Sequence, residues 1–113
     1  MVIRYEEMQE KELPGFKGGE KSFFVKMFAD EANKIMHGRL EPGASIGIHT
    51  HDTNCEMVYI LEGTGKVLYD GGYELLRAGD CHYCPQGHTH SLINDSAGDL
   101  IFFAVVPEQS AVK

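Results

Sequence analysis

Short apolar stretches separated by glycine, proline and acidic residues make up most of this 113-residue chain. Apolar and polar positions alternate within many stretches, which is the period of a β-strand, and no helical period of useful length appears. The pattern predicts about eight to ten short strands, as in a sandwich, barrel or jelly roll. We therefore predict an all-β fold. The strands are expected near residues 22–30, 35–40, 56–62, 66–69, 73–76, 81–84, 88–94 and 100–106.

One predicted strand is apolar on both of its faces. Val58 and Ile60 lie on one side, and Met57, Tyr59 and Leu61 lie on the other. Each face then needs a cover, which either a second sheet or a second copy of the chain would supply. This pattern is one reason to expect a homodimer.

The length fits one domain with a single core. Residues 1–20 are charged and contain Pro14 and several glycines, so we expect an N-terminal arm with at most a short strand near residues 2–5. The arm would serve packing or dimer contact. Residues 21–113 are expected to form a single barrel domain.

The chain is acidic, with a formal net charge of −7, and it contains no basic run. Such a field repels nucleic acid and anionic membrane surfaces, so neither is expected as a partner. No apolar stretch approaches the length of a membrane span, and the first residues lack the order of a signal peptide. We expect a cytoplasmic protein.

The cysteines are Cys55, Cys81 and Cys84, an odd number that argues against a disulfide framework. Cys81 and Cys84 form a CxxC pair, but it lies within a predicted strand rather than at a strand-to-helix turn. We interpret both as ordinary strand thiols. A redox or zinc role is the alternative.

Histidines occur in two pairs with a spacing of two residues, His49 with His51 and His88 with His90. Residues i and i+2 of a strand point to the same face, so each pair presents two imidazoles together. Glu56 follows a turn-prone segment and is expected to begin the next strand. Imidazole and carboxylate ligands on adjacent strands suit Mn, Fe, Ni, Zn or Cu.

The spacing of Gly43, His49, His51, Glu56 and Gly63 resembles the first conserved motif of the cupin superfamily, with every element present. In that family the motif supplies three ligands to a metal ion. The resemblance therefore implies that His49, His51 and Glu56 are metal ligands.

A second stretch resembles the second cupin motif, and its elements are Gly79, Pro85, Gly87, His90 and Asn94. Fifteen residues, 64–78, separate the two motifs, which is typical of small single-domain members. The resemblance implies a double-stranded β-helix, or jelly-roll barrel, in which His90 is the fourth ligand of one divalent transition metal ion. Three imidazoles and one carboxylate leave one or two positions open on an octahedral ion. The glycines and Pro85 are expected to serve the turns of the fold.

Other polar residues have open roles at this point. His88 is two residues from His90 and would point to the same face of a strand, which would bring it near the metal. A surface position is the alternative. His37 and Arg39 share one face of a strand and would contact an anionic substrate if that face points inward.

The function expected from the sequence is metal-dependent binding of a small polar or anionic molecule. By resemblance, an enzyme of this kind would be a dioxygenase, a decarboxylase or an isomerase. The alternative is a metal-containing sensor or binding protein without turnover. A further acid–base group at the open metal position would favour an enzyme, whereas a mouth lined by Phe, Met and Val would favour binding.

Overall fold

The computed structural model describes residues 1–109. It contains ten strands and two short 3-10 turns, Tyr5–Glu7 and Phe16–Gly18. The strands, in chain order, are β1 Lys11–Pro14, β2 Ser22–Ala29, β3 Asn33–Leu40, β4 His49–Thr50, β5 Glu56–Glu62, β6 Thr64–Tyr69, β7 Gly72–Arg77, β8 Cys81–Cys84, β9 Thr89–Ile93 and β10 Leu100–Pro107.

The strands form two antiparallel sheets. The larger sheet has the order β1-β2-β3-β10-β5-β8, and the smaller has the order β4-β9-β6-β7. Because strands that are neighbours in the sequence are often placed in different sheets, the chain crosses repeatedly between them, as in a jelly roll. The all-β, jelly-roll barrel prediction is confirmed.

Apolar side chains from both sheets form one core. Its largest fully buried members include Phe102, Leu40 and Ile60, and the ring of Phe102 stacks on Phe23 with centroids 5.8 Å apart. Burial of each such side chain stabilises the fold by about 1.5–3 kcal/mol. The core therefore holds the two sheets together and fixes where their ends meet.

The arm packs against the barrel by backbone pairing. Its strand is β1, which pairs with β2 at the edge of the larger sheet, rather than a strand near residues 2–5. Farther along, Gly47 donates a backbone hydrogen bond to the carbonyl of Phe16 (3.0 Å). A Cβ atom at Gly47 would lie 1.9 Å from the carbonyl oxygen of Lys17, so only glycine allows this approach. The division of the chain at residue 20 stays a prediction.

The outer face of β5 is not covered within the described chain, since Met57, Tyr59 and Leu61 are between 36% and 44% exposed. The opposite face, with Val58 and Ile60, is buried in the core as expected. A second sheet is thus not the cover for the outer face. None of the helical turns in residues 1–109 is long and apolar enough to cross a membrane.

Candidate metal centre

The four residues of the expected ligand set come together at one end of the barrel. His49 opens β4 and faces His90 of β9 in the register of the smaller sheet. His51 follows β4 directly, and Glu56 is the first residue of β5 in the larger sheet. The cluster therefore bridges the two sheets.

The backbone fixes His51 although it lies just beyond a strand of only two residues. Its N–H donates to the carbonyl of His88 (3.1 Å), and its carbonyl accepts from the N–H of Gly87 (2.7 Å). Gly87 adopts a positive φ of 89°, which glycine tolerates without strain. A turn glycine of the second motif thus positions a histidine of the first.

The side-chain ends of the cluster are in mutual contact. The Nε2 atom of His90 lies 2.9 Å from Nε2 of His51, 3.1 Å from Nε2 of His49 and 3.0 Å from Oε1 of Glu56. Nε2 of His51 lies 3.2 Å from the same carboxylate oxygen. His90 is 2% exposed and Glu56 is 8% exposed, so water provides little of their solvation.

Each imidazole has an acceptor behind it for its other nitrogen. Nδ1 of His49 lies 2.7 Å from the carbonyl oxygen of Gly47, and Nδ1 of His51 lies 2.5 Å from Oδ1 of Asn54. The amide of Asn54 in turn donates to Glu108 (3.2 Å). An N–H on Nδ1 leaves the lone pair of Nε2 directed into the cluster, which is the tautomer that a metal ligand requires.

His90 is oriented by a longer relay that the sequence analysis did not identify. Its Nδ1 lies 3.0 Å from Nε2 of buried His82, and Nδ1 of His82 lies 3.2 Å from Oε1 of Glu74. If His90 donates to His82 and His82 donates to Glu74, Nε2 of His90 again carries a free lone pair. The sequence feature that could have indicated it is strand alternation, because His82 points to the opposite face of β8 from Cys81 and Tyr83, which are exposed.

The electrostatics favour a cation among these atoms. Burial alone would raise the pKa of Glu56, but contacts with His51 and His90 outweigh it and hold the pKa at about 2. Burial lowers the pKa of His49. For His51 burial also opposes protonation, yet hydrogen bonding to Glu56 and Asn54 raises the pKa. Three lone pairs and a carboxylate converging on one buried volume repel each other unless a positive charge lies between them.

Three residues whose roles the sequence left undecided, His88, His37 and Arg39, lie outside the cluster. His88 is half exposed and contacts Asp70 (2.5 Å) and the hydroxyl of Tyr69 (3.2 Å). On β3 the inward positions are Met36, Gly38 and Leu40, whereas His37 and Arg39 lie on the outer face. There His37 packs on Tyr5 and Arg39 binds Glu10 (2.8 Å). Neither therefore reaches the cluster, so the condition for their contact with an anionic substrate, an inward-pointing face, is not met.

The two cysteines of the CxxC pair point to opposite faces of β8. Cys81 is exposed and Cys84 is buried, and no disulfide joins the described cysteines. Burial raises the pKa of Cys84 to about 12, so this thiol stays protonated. The interpretation as ordinary strand thiols agrees with this geometry.

A cavity of about 500 Å³ opens in front of the cluster. Three cluster residues, His49, His51 and Glu56, line one side, with Lys17, Lys34 and Asp52 nearby. The rest of its wall is mainly apolar and includes Phe16, Phe23, Val25, Met27, Met36 and Ile46. The site therefore offers a polar end and an apolar wall.

Fold and site together define a small jelly-roll barrel with a histidine–glutamate cluster that could hold a metal ion. The sequence profile of the cupin domain matches residues 36–106, which is more than half of the chain. This protein belongs to the cupin family, as the two motifs indicated.

Similar proteins include an oxalate-binding protein of Thermotoga maritima. It is 33% identical over 115 residues, covering 94% of this chain and 93% of that protein. A crystal structure from the same organism, described as a predicted oxalate decarboxylase, aligns with a TM-score of 0.90 at 29% identity. That alignment covers 96% of this chain and 99% of the other. An RmlC-like cupin from Shewanella frigidimarina has a TM-score of 0.79 at 18% identity, covers 97% and 92% of the two chains, and supports the fold alone.

Proposed function

We propose that this cupin holds one divalent transition metal ion through His49, His51, Glu56 and His90, and that it binds a small carboxylate there. The observation that carries the proposal is the convergence of three Nε2 atoms and one carboxylate oxygen within 4.8 Å. The acceptors behind His49 and His51 support it, because they select the tautomer with Nε2 free, and His82 can accept in the same way from His90. A set of three nitrogens and one oxygen suits Mn, Fe, Ni, Zn or Cu.

A carboxylate ligand suits the local charge when a divalent ion is bound, since Lys17 and Lys34 otherwise only offset Glu56 and Asp52 on the cavity wall. The chain as a whole is acidic, so an anion would be attracted only where positive charge is concentrated. Lys17 lies close enough to His51 that its ammonium opposes protonation of that imidazole, and Lys34 also lines the cavity. The relative from Thermotoga maritima is named for oxalate binding, which supports the same ligand class.

When bound, the metal would supply a Lewis-acid or redox centre for a coordinated oxygen ligand. The chain's own residues orient that centre, bury most of its ligands and leave the cavity side open. Dioxygenation, decarboxylation of an oxalate-like acid and sugar isomerisation are the reactions that such a centre would serve.

The second candidate is binding or sensing without turnover, and one observation favours it. The described lining of the cavity does not include His37, Arg39 or His88, and its wall is mainly Phe, Met, Val and Ile. Besides the cluster, the ionisable groups are Lys17, Lys34 and Asp52. Incubation of metal-loaded protein with oxalate, followed by assay for formate and carbon dioxide, tests for decarboxylation, and turnover in that assay would refute binding without turnover.

Metal uptake is the direct test. Elemental analysis of protein purified without added metal should find close to one transition-metal ion per chain. His51→Ala should abolish uptake with the fold retained, whereas His88→Ala should leave uptake unchanged because His88 lies outside the cluster. Wild-type protein that takes up no Mn, Fe, Ni or Zn, or a His51→Ala variant with full affinity, would refute the metal site.

We also propose that the protein is a cytoplasmic homodimer. The exposed face of β5 and β8, with Met57, Tyr59, Leu61 and Tyr83, offers an apolar surface for a second copy. The free cysteines fit a reducing compartment. Sedimentation should give a dimer for the wild type and a monomer for Leu61→Glu. A monomeric wild type would refute the dimer.

A further inference from the structure

The cavity is larger and more apolar than a two-carbon diacid requires. Its volume of about 500 Å³ lies in the range of about 300–1,000 Å³ that holds drug-sized molecules. Oxalate is polar on all sides and would fill only the part next to the cluster. The part of the apolar wall that is accessible, with half-buried Phe16 and with Met27, which is 43% exposed, would then stay in contact with water.

The apolar wall continues beyond this cavity. A second cavity of about 420 Å³ shares Leu13, Val25 and Met27 with the first and extends to Met8. These residues belong to β2 and to the arm, which approaches the barrel through Gly47. The arm thus builds one side of an apolar channel that leads away from the cluster.

Charge and polarity divide the site into two parts. Lys17 and the cluster with its proposed metal ion form one end, where a carboxylate would find positive charge. The side chains of Phe16, Val25 and Met27 form the other part, where burial of apolar ligand surface is favourable. A ligand that matches both parts has an acidic head and an apolar body.

We propose that the preferred ligand is a carboxylic acid with an apolar body of several carbons, such as a branched or aromatic 2-oxo acid, rather than oxalate. This inference rests on the proposed binding of carboxylates at the metal. The head lies at the cluster, and the body lies along Val25, Met27 and Phe16.

The test compares oxalate with three 2-oxo acids that share one head and differ in their body. Calorimetric titration of Zn²⁺-loaded protein with oxalate, pyruvate, 4-methyl-2-oxopentanoate and phenylpyruvate gives the affinities. Each buried methylene tightens binding by roughly fourfold. The three additional carbons of 4-methyl-2-oxopentanoate should therefore improve on pyruvate by on the order of fiftyfold if all are buried.

A variant of the apolar wall checks where the body lies. Met27→Gln should remove several-fold of the gain for 4-methyl-2-oxopentanoate and leave the affinity for oxalate unchanged. Met27 is 43% exposed, so the fold should tolerate the change. Leu75→Gln is the control, because Leu75 is 81% exposed and does not line either cavity.

The outcomes separate this inference from the proposed function. If oxalate binds and the longer acids bind no better than pyruvate, the inference is overturned and carboxylate binding stands. An equal loss of oxalate and longer acids in Met27→Gln also overturns it. If Zn²⁺ is taken up but no acid binds, carboxylate binding itself fails; if Zn²⁺ is not taken up, the metal site fails.

Discussion

Replacement of His82 by leucine tests how the cluster is oriented. His82 does not belong to the four-residue cluster, but its Nε2 atom lies 3.0 Å from Nδ1 of His90. Leucine has a similar volume and no acceptor. In His82→Leu the Nδ1–H of His90 would be buried without a partner, which costs about 1–3 kcal/mol in the tautomer that binds a metal.

This cost predicts the loss of metal affinity. Removal of an outer partner of a ligating histidine typically weakens binding by about 10–100-fold, which is about 1.4–2.8 kcal/mol. The two magnitudes agree, so we expect the Zn²⁺ dissociation constant of His82→Leu to rise by about one to two orders of magnitude. His82→Gln should recover part of this loss, because its amide can accept from His90 and donate to Glu74.

The assay is competition for Zn²⁺ between the apo-protein and a chromophoric chelator, with thermal melts to confirm that each variant is folded. His88→Leu is the matched control, because it also removes one histidine but its contacts are with Asp70 and Tyr69 at the surface. Its Zn²⁺ affinity should equal that of the wild type. A folded His82→Leu variant with wild-type affinity would refute the relay.

Two further predictions concern the arm and the thiols. Gly47→Ala should lower the melting temperature by at least about 4 °C, because its Cβ would lie 1.9 Å from the carbonyl oxygen of Lys17. Gly98→Ala is the control and should leave the melting temperature unchanged, because its Cβ would have no neighbour within 4 Å. Iodoacetamide at pH 8 should alkylate exposed Cys81 in the native protein and spare Cys84, whose pKa of about 12 leaves a thiolate fraction on the order of 10⁻⁴.

Opposite results would contradict these two arguments. Equal melting temperatures for Gly47→Ala and Gly98→Ala, measured by differential scanning calorimetry, would mean that the arm does not pack on Gly47. Peptide mass spectrometry reports the alkylation. Labelling of native Cys84 at the rate of Cys81 would mean that β8 does not bury it.

The strands were predictable from the sequence because a strand has a local period of two residues. Alternation placed Val58 and Ile60 together on one face of β5, and glycines and prolines marked where strands end. Boundaries shifted by a few residues, as in β3, which begins at Asn33 rather than near residue 35. There the tight turn after β2, in which Asp30 accepts from the backbone of residues 32 and 33, allows pairing to start earlier.

The histidine pairs and Glu56 were also readable in the sequence, because the spacing of two residues and the two cupin motifs are local features. His88 and His90 are two residues apart and would point to the same face of a strand, so alternation alone did not show that only His90 belongs to the cluster. His90 lies within β9 and faces His49 across the register, whereas His88 precedes the strand and is held by Asp70 of the turn after β6.

The surroundings of the cluster depend on contacts between distant parts of the chain. His82 reaches His90 from another strand, Glu74 reaches His82 from a third, and the arm meets Gly47 across about thirty residues of sequence. Such contacts depend on the order of strands in two sheets and on the register between them, which no local period encodes. Local patterns in the sequence identify which side chains could hold a metal, whereas the fold of the two sheets sets how they are oriented and which cavity they face.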